Sequence, residues 1–378
     1  MPDSLHIALQ NNTDSDQVYA YITGLALQFD WKRCFVTADG EGLYFPQEPP
    51  GRLSPLTEDC AIPLGPSGTV VVLEIPQMAG GRIWFSRGSK LTFFLNPGPS
   101  LVEPSVLNPS DLNVPVDFGF CEFTLNNDQL YANISYVDFT PRLPIAINLK
   151  TASGDEQHVA GMAADGLDKL AEGLRLQAKT DGWPWDKLIV WYDGVPLRIL
   201  NATHGYSVGA SFAGYFEPYV EDVWERLKSE PRLFINTQAA AGYLHARVKS
   251  GTLLVGDEAF GKPSTADILG CNSGPFTTGP SPTRNAIIPR LSAAFVRSAL
   301  LESDEHPSSP STFYLTDPTN HYARLVHECN LDGKGYAFAY DDVQPDFGED
   351  QSGKVNAGDP VLFTVTVGGP SEVGQEYV

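Results

Sequence analysis

Over the first 150 positions apolar and polar residues form short runs separated by clusters of Pro, Gly, Asn and Asp. The runs at 5–9, 18–22, 69–75, 82–85, 91–95, 118–125, 131–137 and 144–149 are rich in the β-branched and aromatic residues that suit strands. Many short strands with turn signals between them predict a sandwich or barrel. The Pro-rich stretch 96–115 reads as a long surface connection. After about position 150 the period changes. Leu167, Leu170 and Leu174 recur at helical spacing, and Val220, Val223, Trp224 and Leu227 do so after Pro218, whose missing N–H suits a first helical turn. A third helix is expected over 289–301, and a fourth puts Tyr322, Leu325, Val326 and Cys329 on one face, with Gly333 just beyond. Strand-like runs at 188–191, 233–235 and 252–255 lie between them, so this stretch reads as a mixed α/β unit. The tail returns to strands at 336–340 and 361–367. The order predicts a β domain, residues 1–150 and 330–378, interrupted by a mixed α/β domain at 151–329, with a groove between them.

Composition narrows the function. The 378 residues carry a formal charge of −21, which repels phosphate backbones and anionic lipid heads, so nucleic acid and membrane surfaces are poor partners. No apolar run reaches the roughly 18 residues of a membrane span, and positions 1–12 show no export signal. Five cysteines, none in a C-x-x-C pair, count against zinc ribbons and thioredoxin-type redox chemistry. Three glycosylation triplets begin at Asn11, Asn133 and Asn201, a pattern that chance often produces. His327-Glu328 starts an H-E-x-x-H pattern, but position 331 is Leu, so a zinc site of that kind is rejected. No glycine-rich nucleotide loop is present, and neither metal nor cofactor is expected. Gly205-Tyr206-Ser207-Val208-Gly209 matches the G-x-S-x-G nucleophile elbow, which works only on a sharp strand-to-helix turn. Here 201–204 separates the preceding apolar run from the motif, so a Gly-rich loop is expected, with a serine esterase using Ser207 as a distant alternative.

The segment 121–139 is the most informative. Alternation puts Glu122, Thr124 and Asn126 on one strand face and Phe123 and Leu125 on the other. An acid, a hydroxyl and an amide in line suit sugar hydroxyls, and Asp138 follows at the end of the next β-rich run. Two carboxylates flanking a cleft are what glycosidic hydrolysis requires, one to protonate the leaving oxygen and one to activate water or attack. The alternative is a solvated strand face carrying ordinary acids. If 126–129 forms a tight hairpin turn, Glu122 lies opposite Asn133 and Asp138 sits five residues further on, too far at about 3.3 Å per residue. A bulge, a bend or a separate strand must then bring Asp138 back.

The string 122–126, with 136–139, 143–144, Gly81-Arg82-Ile83-Trp84 and 336–342, resembles the acidic-cleft region of thaumatin-like proteins. The strings 219–224, 235–238, 264–267 and 320–324 resemble family 64 of the glycoside hydrolases, β-1,3-glucanases with a thaumatin-like barrel and an inserted α/β domain. The resemblance covers nearly the whole chain. It implies inverting endo-hydrolysis of β-1,3-glucan, with laminaripentaose among its products, and Glu122 as general acid with Asp138 as general base. An inverting pair stands about 6.5–9.5 Å apart to admit water. A protonated Glu122 calls for apolar or negatively charged surroundings. Thr124, Asn126 and Tyr131 would line the groove, with Tyr131 as a stacking face, and Arg82 and Tyr136 would join them in binding substrate. The same resemblance implies a monomer acting outside the cell, an inference from where such a polymer is found. A glucan-binding protein without catalysis is the nearest alternative.

Overall fold

The strand Asp117–Leu125 serves two cores at once, because successive side chains leave opposite faces of a sheet. In the computed structural model, which describes residues 3–369, Cys121, Phe123 and Leu125 enter an apolar core with Ile7, Leu9, Ile22, Ile83 and Phe363. Phe118 and Phe120 face the other way, into an aromatic cluster with Tyr21, Phe35, Trp84, Phe93 and Phe139. Each such buried side chain contributes about 1.5–3 kcal/mol relative to exposure, so both faces of the strand are held rigidly.

Side by side in one sheet run Lys354–Ala357, Leu130–Ile134, Asp117–Leu125, Met78–Arg87, Val18–Ala26, Lys32–Val36 and Leu43–Tyr44, with Ile62–Pro63 attached to Val18–Ala26. A five-stranded sheet of Glu156–Val159, Ile145–Thr151, Pro360–Val367, Ser4–Asn11 and Val70–Pro76 supplies the other wall of the first core. Ser4–Asn11 pairs in parallel with Pro360–Val367, from His6 opposite Leu362 to Asn11 opposite Val367, so the beginning and end of the described chain share a sheet. Helices Gly166–Asp181, Glu217–Ser229, Thr265–Gly270, Pro282–Val296 and His321–Cys329 lie between, with a second five-stranded sheet that runs from Glu258–Phe260 through Leu233–Asn236 to Glu305–His306. The result is a mixed, β-rich fold with helices. None of the helices among the described residues is long and apolar enough to cross a membrane.

Four elements depart from expectation. The third helix starts at Pro282, where Ser281 caps it by accepting from the Arg284 N–H, and Pro289 lies inside it. The run at 131–137 stops being a strand at Ile134, because Ser135 bridges to Tyr336 instead of continuing the ladder. The run at 91–95 is strand only over Phe94–Asn96. Residues 336–340 form no strand: beyond the single bridge at Tyr336 the chain bends and turns, since the Ala337 N–H is taken by the Asp341 carboxylate at 2.9 Å. Asn11, Asn133 and Asn201 are all buried, so their triplets are structural and not glycosylation acceptors.

Candidate active site

The turn after Asp117–Leu125 is the tight hairpin that fixes the site's register. The Asn126 N–H donates to the Gln129 carbonyl at 3.0 Å, and the Asn126 side chain accepts from the N–H groups of Asp128 and Gln129. Glu122 therefore lies opposite Asn133 on one side and opposite Arg82 on the other, and Thr124 lies opposite Tyr131. Glu122, Thr124, Tyr131 and Arg82 line one open cleft of about 360 Å³, together with Glu103 and Asn133. The Asn126 side-chain oxygen is spent on the hairpin turn, and the residue is not among those lining this cleft. Tyr136 is a second correction, being 2% exposed with its hydroxyl on Asn330, so it lies beneath the surface and cannot reach a sugar.

Asp138 lies in the bend just before a separate strand. Phe139–Pro141 leaves the hairpin and pairs with Val195–Leu200, while the Asn201 N–H holds the Asp138 carbonyl at 3.0 Å. The short strand packs closely on Asp117–Leu125. A Cβ added at Gly119 would come within 2.8 Å of Pro141, a gap that only glycine leaves open. The Phe139 ring meets those of Phe118 and Phe120 at 5.5 and 6.0 Å, so the residue beside Asp138 touches a residue two positions from Glu122. Arg82 links the two acids electrically: Glu122 Oε1 accepts from it at 3.1 Å, and its charge also acts on Asp138.

A hydrogen bond between Asp138 Oδ1 and His204 Nε2, at 3.1 Å, is the main cause that holds the Asp138 carboxyl below the usual range. Burial opposes it, and the charges of His204 and Arg82 assist it. An ionised carboxylate suits a water-activating base. The surroundings of Glu122 are not those expected. In place of an apolar or negative setting a guanidinium lies against it, and Arg82 is shared with Glu103, whose Oε2 accepts from Nη1 at 2.6 Å. Arg82 is further held over the rings of Phe120 and Trp84, at 4.8 and 5.4 Å. Tyr131 stays a neutral phenol, its pKa raised chiefly by burial and then by the charges of Asp342 and Asp350, against the opposing pull of Tyr336.

Glu103 and His204 carry no signal in the sequence. Glu103 follows a two-stranded excursion inside the Pro-rich stretch, where no periodicity marks it. His204 sits in the turn before Ser207, and the recognisable motif belongs to the serine. The turn Ala202–Val208 is a 3-10 helix, not a strand-to-helix elbow, and Ser207 Oγ donates to the His204 carbonyl at 2.8 Å. That geometry gives Ser207 no base and removes the esterase reading.

A protein-family model described as β-1,3-glucanase, for family 64 of the glycoside hydrolases, matches residues 3–367. Glucan endo-1,3-beta-glucosidases of Cellulosimicrobium cellulans and of Arthrobacter sp. (strain YCWD3) are each 28% identical over 365 residues, 91% of this chain. The chain spans 62% of the length of these two relatives. Among solved structures, a laminaripentaose-producing β-1,3-glucanase in complex with laminaritetraose is 29% identical, with a TM-score of 0.85 over 97% of this chain and 99% of that one. A β-1,3-glucanase domain from Clostridium beijerinckii, at 23% identity, has the same fold with a TM-score of 0.75 over 97% and 98% of the two chains.

Proposed function

The chain belongs to glycoside hydrolase family 64, the β-1,3-glucanases, and from that premise we propose that it is an inverting endo-β-1,3-glucanase. Glu122 gives its proton to the glycosidic oxygen as the C1–O bond breaks. Asp138 takes a proton from the water that attacks C1 from the opposite face, so the new hydroxyl has inverted configuration. The observation that supports this reading is Glu122 in an open cleft with Asp138, a carboxylate hydrogen-bonded to His204, within the field of the Arg82 guanidinium that touches Glu122. Asp138 is kept ionised by His204, while Glu122 faces the open cleft beside Thr124 and Tyr131. An open cleft suits internal linkages of a polymer, and a neutral glucan needs no steering by the −21 charge. Laminari-oligosaccharides, laminaripentaose among them, are the products to be expected.

The finer architecture belongs to the same reading. A thaumatin-like β domain of residues 1–150 and 330–378 with an insertion at 151–329 is supported by the parallel pairing of Ser4–Asn11 with Pro360–Val367 and by Lys354–Ala357 joining Leu130–Ile134. We extend the proposal to a monomer that acts outside the cell, since the polymer is found there. The test is reducing-sugar release from laminarin by Glu122→Gln and Asp138→Asn, with binding measured on the same samples. Loss of turnover with binding retained is expected. Turnover kept in either variant removes that residue from its role, and a wild type that binds without any turnover leaves a glucan-binding protein.

A further inference from the structure

The sharpest unassigned feature is the imidazole on the proposed base. His204 is carried on the 3-10 turn Ala202–Val208, and its side chain is only 19% exposed. Several contacts fix that turn. The His204 N–H donates to the Asn201 carbonyl at 2.9 Å, and Asn201 Oδ1 accepts from the Thr203 N–H at 3.2 Å. Asn201, 1% exposed, also donates from Nδ2 to the Ala337 carbonyl at 2.7 Å, while its own N–H holds the Asp138 carbonyl. A side chain at Gly205 would meet the Ala210 carbonyl oxygen at 2.6 Å, so glycine lets the turn close beneath His204. The G-x-S-x-G string thus builds a rigid mount for the histidine just before it.

We propose that His204 is a positioning residue for water activation: its Nε2–H holds Asp138 Oδ1 and leaves Oδ2 to take the proton from the attacking water. An ionised carboxylate only accepts hydrogen bonds, so Nε2 must be the donor. One fixed oxygen turns the other toward a single direction, which is what a directed attack on one face of a sugar demands. Two side chains bear on Asp138 electrically, His204 from the turn and Arg82 from Met78–Arg87, while the charge of Asp138 in turn reaches the buried Tyr322 phenol of His321–Cys329 and helps keep it neutral. Of these only His204 is hydrogen-bonded to the carboxylate.

The inference rests on Asp138 being the base, so the experiment carries both. His204→Ala, His204→Gln and Asp138→Asn are compared with the wild type on a linear β-1,3-glucan, with kcat and KM followed across pH. A hydrogen bond to a charged group is worth about 1.5–3 kcal/mol, so His204→Ala is expected to lose about 10- to 100-fold in kcat with KM unchanged. Its acid limb moves to higher pH, because the bond that favours the charged carboxylate is gone. Gln, which can place a donor near the same point, recovers part of the loss. Wild-type kcat and an unmoved acid limb in His204→Ala, with Asp138→Asn inactive, overturn the proposal and leave the base in place. An equal loss in the Ala and Gln variants with an unmoved limb overturns it as well, since that is a structural effect. An active Asp138→Asn overturns the base assignment itself.

Discussion

Asp341 is fully buried and holds together the turn segment 337–343. Its Oδ1 accepts from Arg297 at 2.9 Å, and its Oδ2 accepts from His327 Nε2 at 3.1 Å and from the Ala337 N–H at 2.9 Å. His327 Nδ1 meets the Gly333 carbonyl at 3.0 Å, so both ring nitrogens face acceptors and the ring is held as a cation. Arg297, 3% exposed at its side chain, is further held by the Val343 carbonyl. Replacing Asp341 by Ala strands two cations in the interior, and such a loss costs about 3–5 kcal/mol. The solvent-exposed pair Arg175–Glu172, with side chains 41% and 69% exposed, is the control, and Glu172→Ala is expected to cost under about 1 kcal/mol. Urea unfolding of the two variants against wild type measures both. The pH dependence has a defined sign. Burial alone would raise the Asp341 carboxyl, but the charge and hydrogen bond of His327 and the charge of Arg297 outweigh it and lower it. Its contribution is therefore lost as pH falls through that depressed value. Burial pulls His327 down, yet Asp341 and the Gly333 carbonyl leave it raised, so its contribution is lost as pH climbs through that value. The gap between wild type and Asp341→Ala should be widest near about pH 6 and narrower near about pH 9, where Arg297 alone still needs the carboxylate. A cost below about 1 kcal/mol at pH 6, equal to the exposed control, would refute this reasoning.

Two more expectations concern the cleft. Glu103→Gln leaves the Arg82 charge with one carboxylate partner instead of two, which draws the guanidinium onto Glu122 and lowers kcat on laminarin; an unchanged kcat would show that Glu103 does not share in placing Arg82. Tyr131→Ala removes an aromatic face worth about 1.5 kcal/mol of apolar burial, so KM for laminari-oligosaccharides rises about tenfold; a KM equal to wild type would show that no sugar packs on that ring.

The strand faces at the site were legible because alternation is local. The positions of Phe118, Phe120, Cys121 and Phe123 separate by parity into the two cores, and Glu122 and Thr124 follow from the same count. The hairpin register was legible too, since Asn-Asn-Asp-Gln is a turn whose length leaves one pairing for Glu122 and Asn133. The position of Asp138 was not, because it depends on Pro141 seating against Gly119 and on a strand far along the chain, Val195–Leu200. The misreading of 336–340 has a similar origin. Its aromatic residues suit a strand, but the Asp341 carboxylate takes the Ala337 N–H and folds the segment into turns. Tyr136 looked like a binding residue from its neighbours in the string, whereas its hydroxyl is held inside by Asn330, which the sequence places far away. The roles of Glu103 and His204 rest entirely on partners across the fold, Arg82 and Asp138, and no periodicity announces them.

Everything proposed for the two acids depends on which face of the sugar the water attacks, and proton NMR of the first products from a linear β-1,3-glucan reads this directly. With Glu122 and Asp138 acting as proton donor and water-activating base, the α-anomer appears first and the β-anomer grows in only by mutarotation. A β-anomer released first would mean a covalent intermediate on one carboxylate, and Asp138 would then not be the base that activates the attacking water.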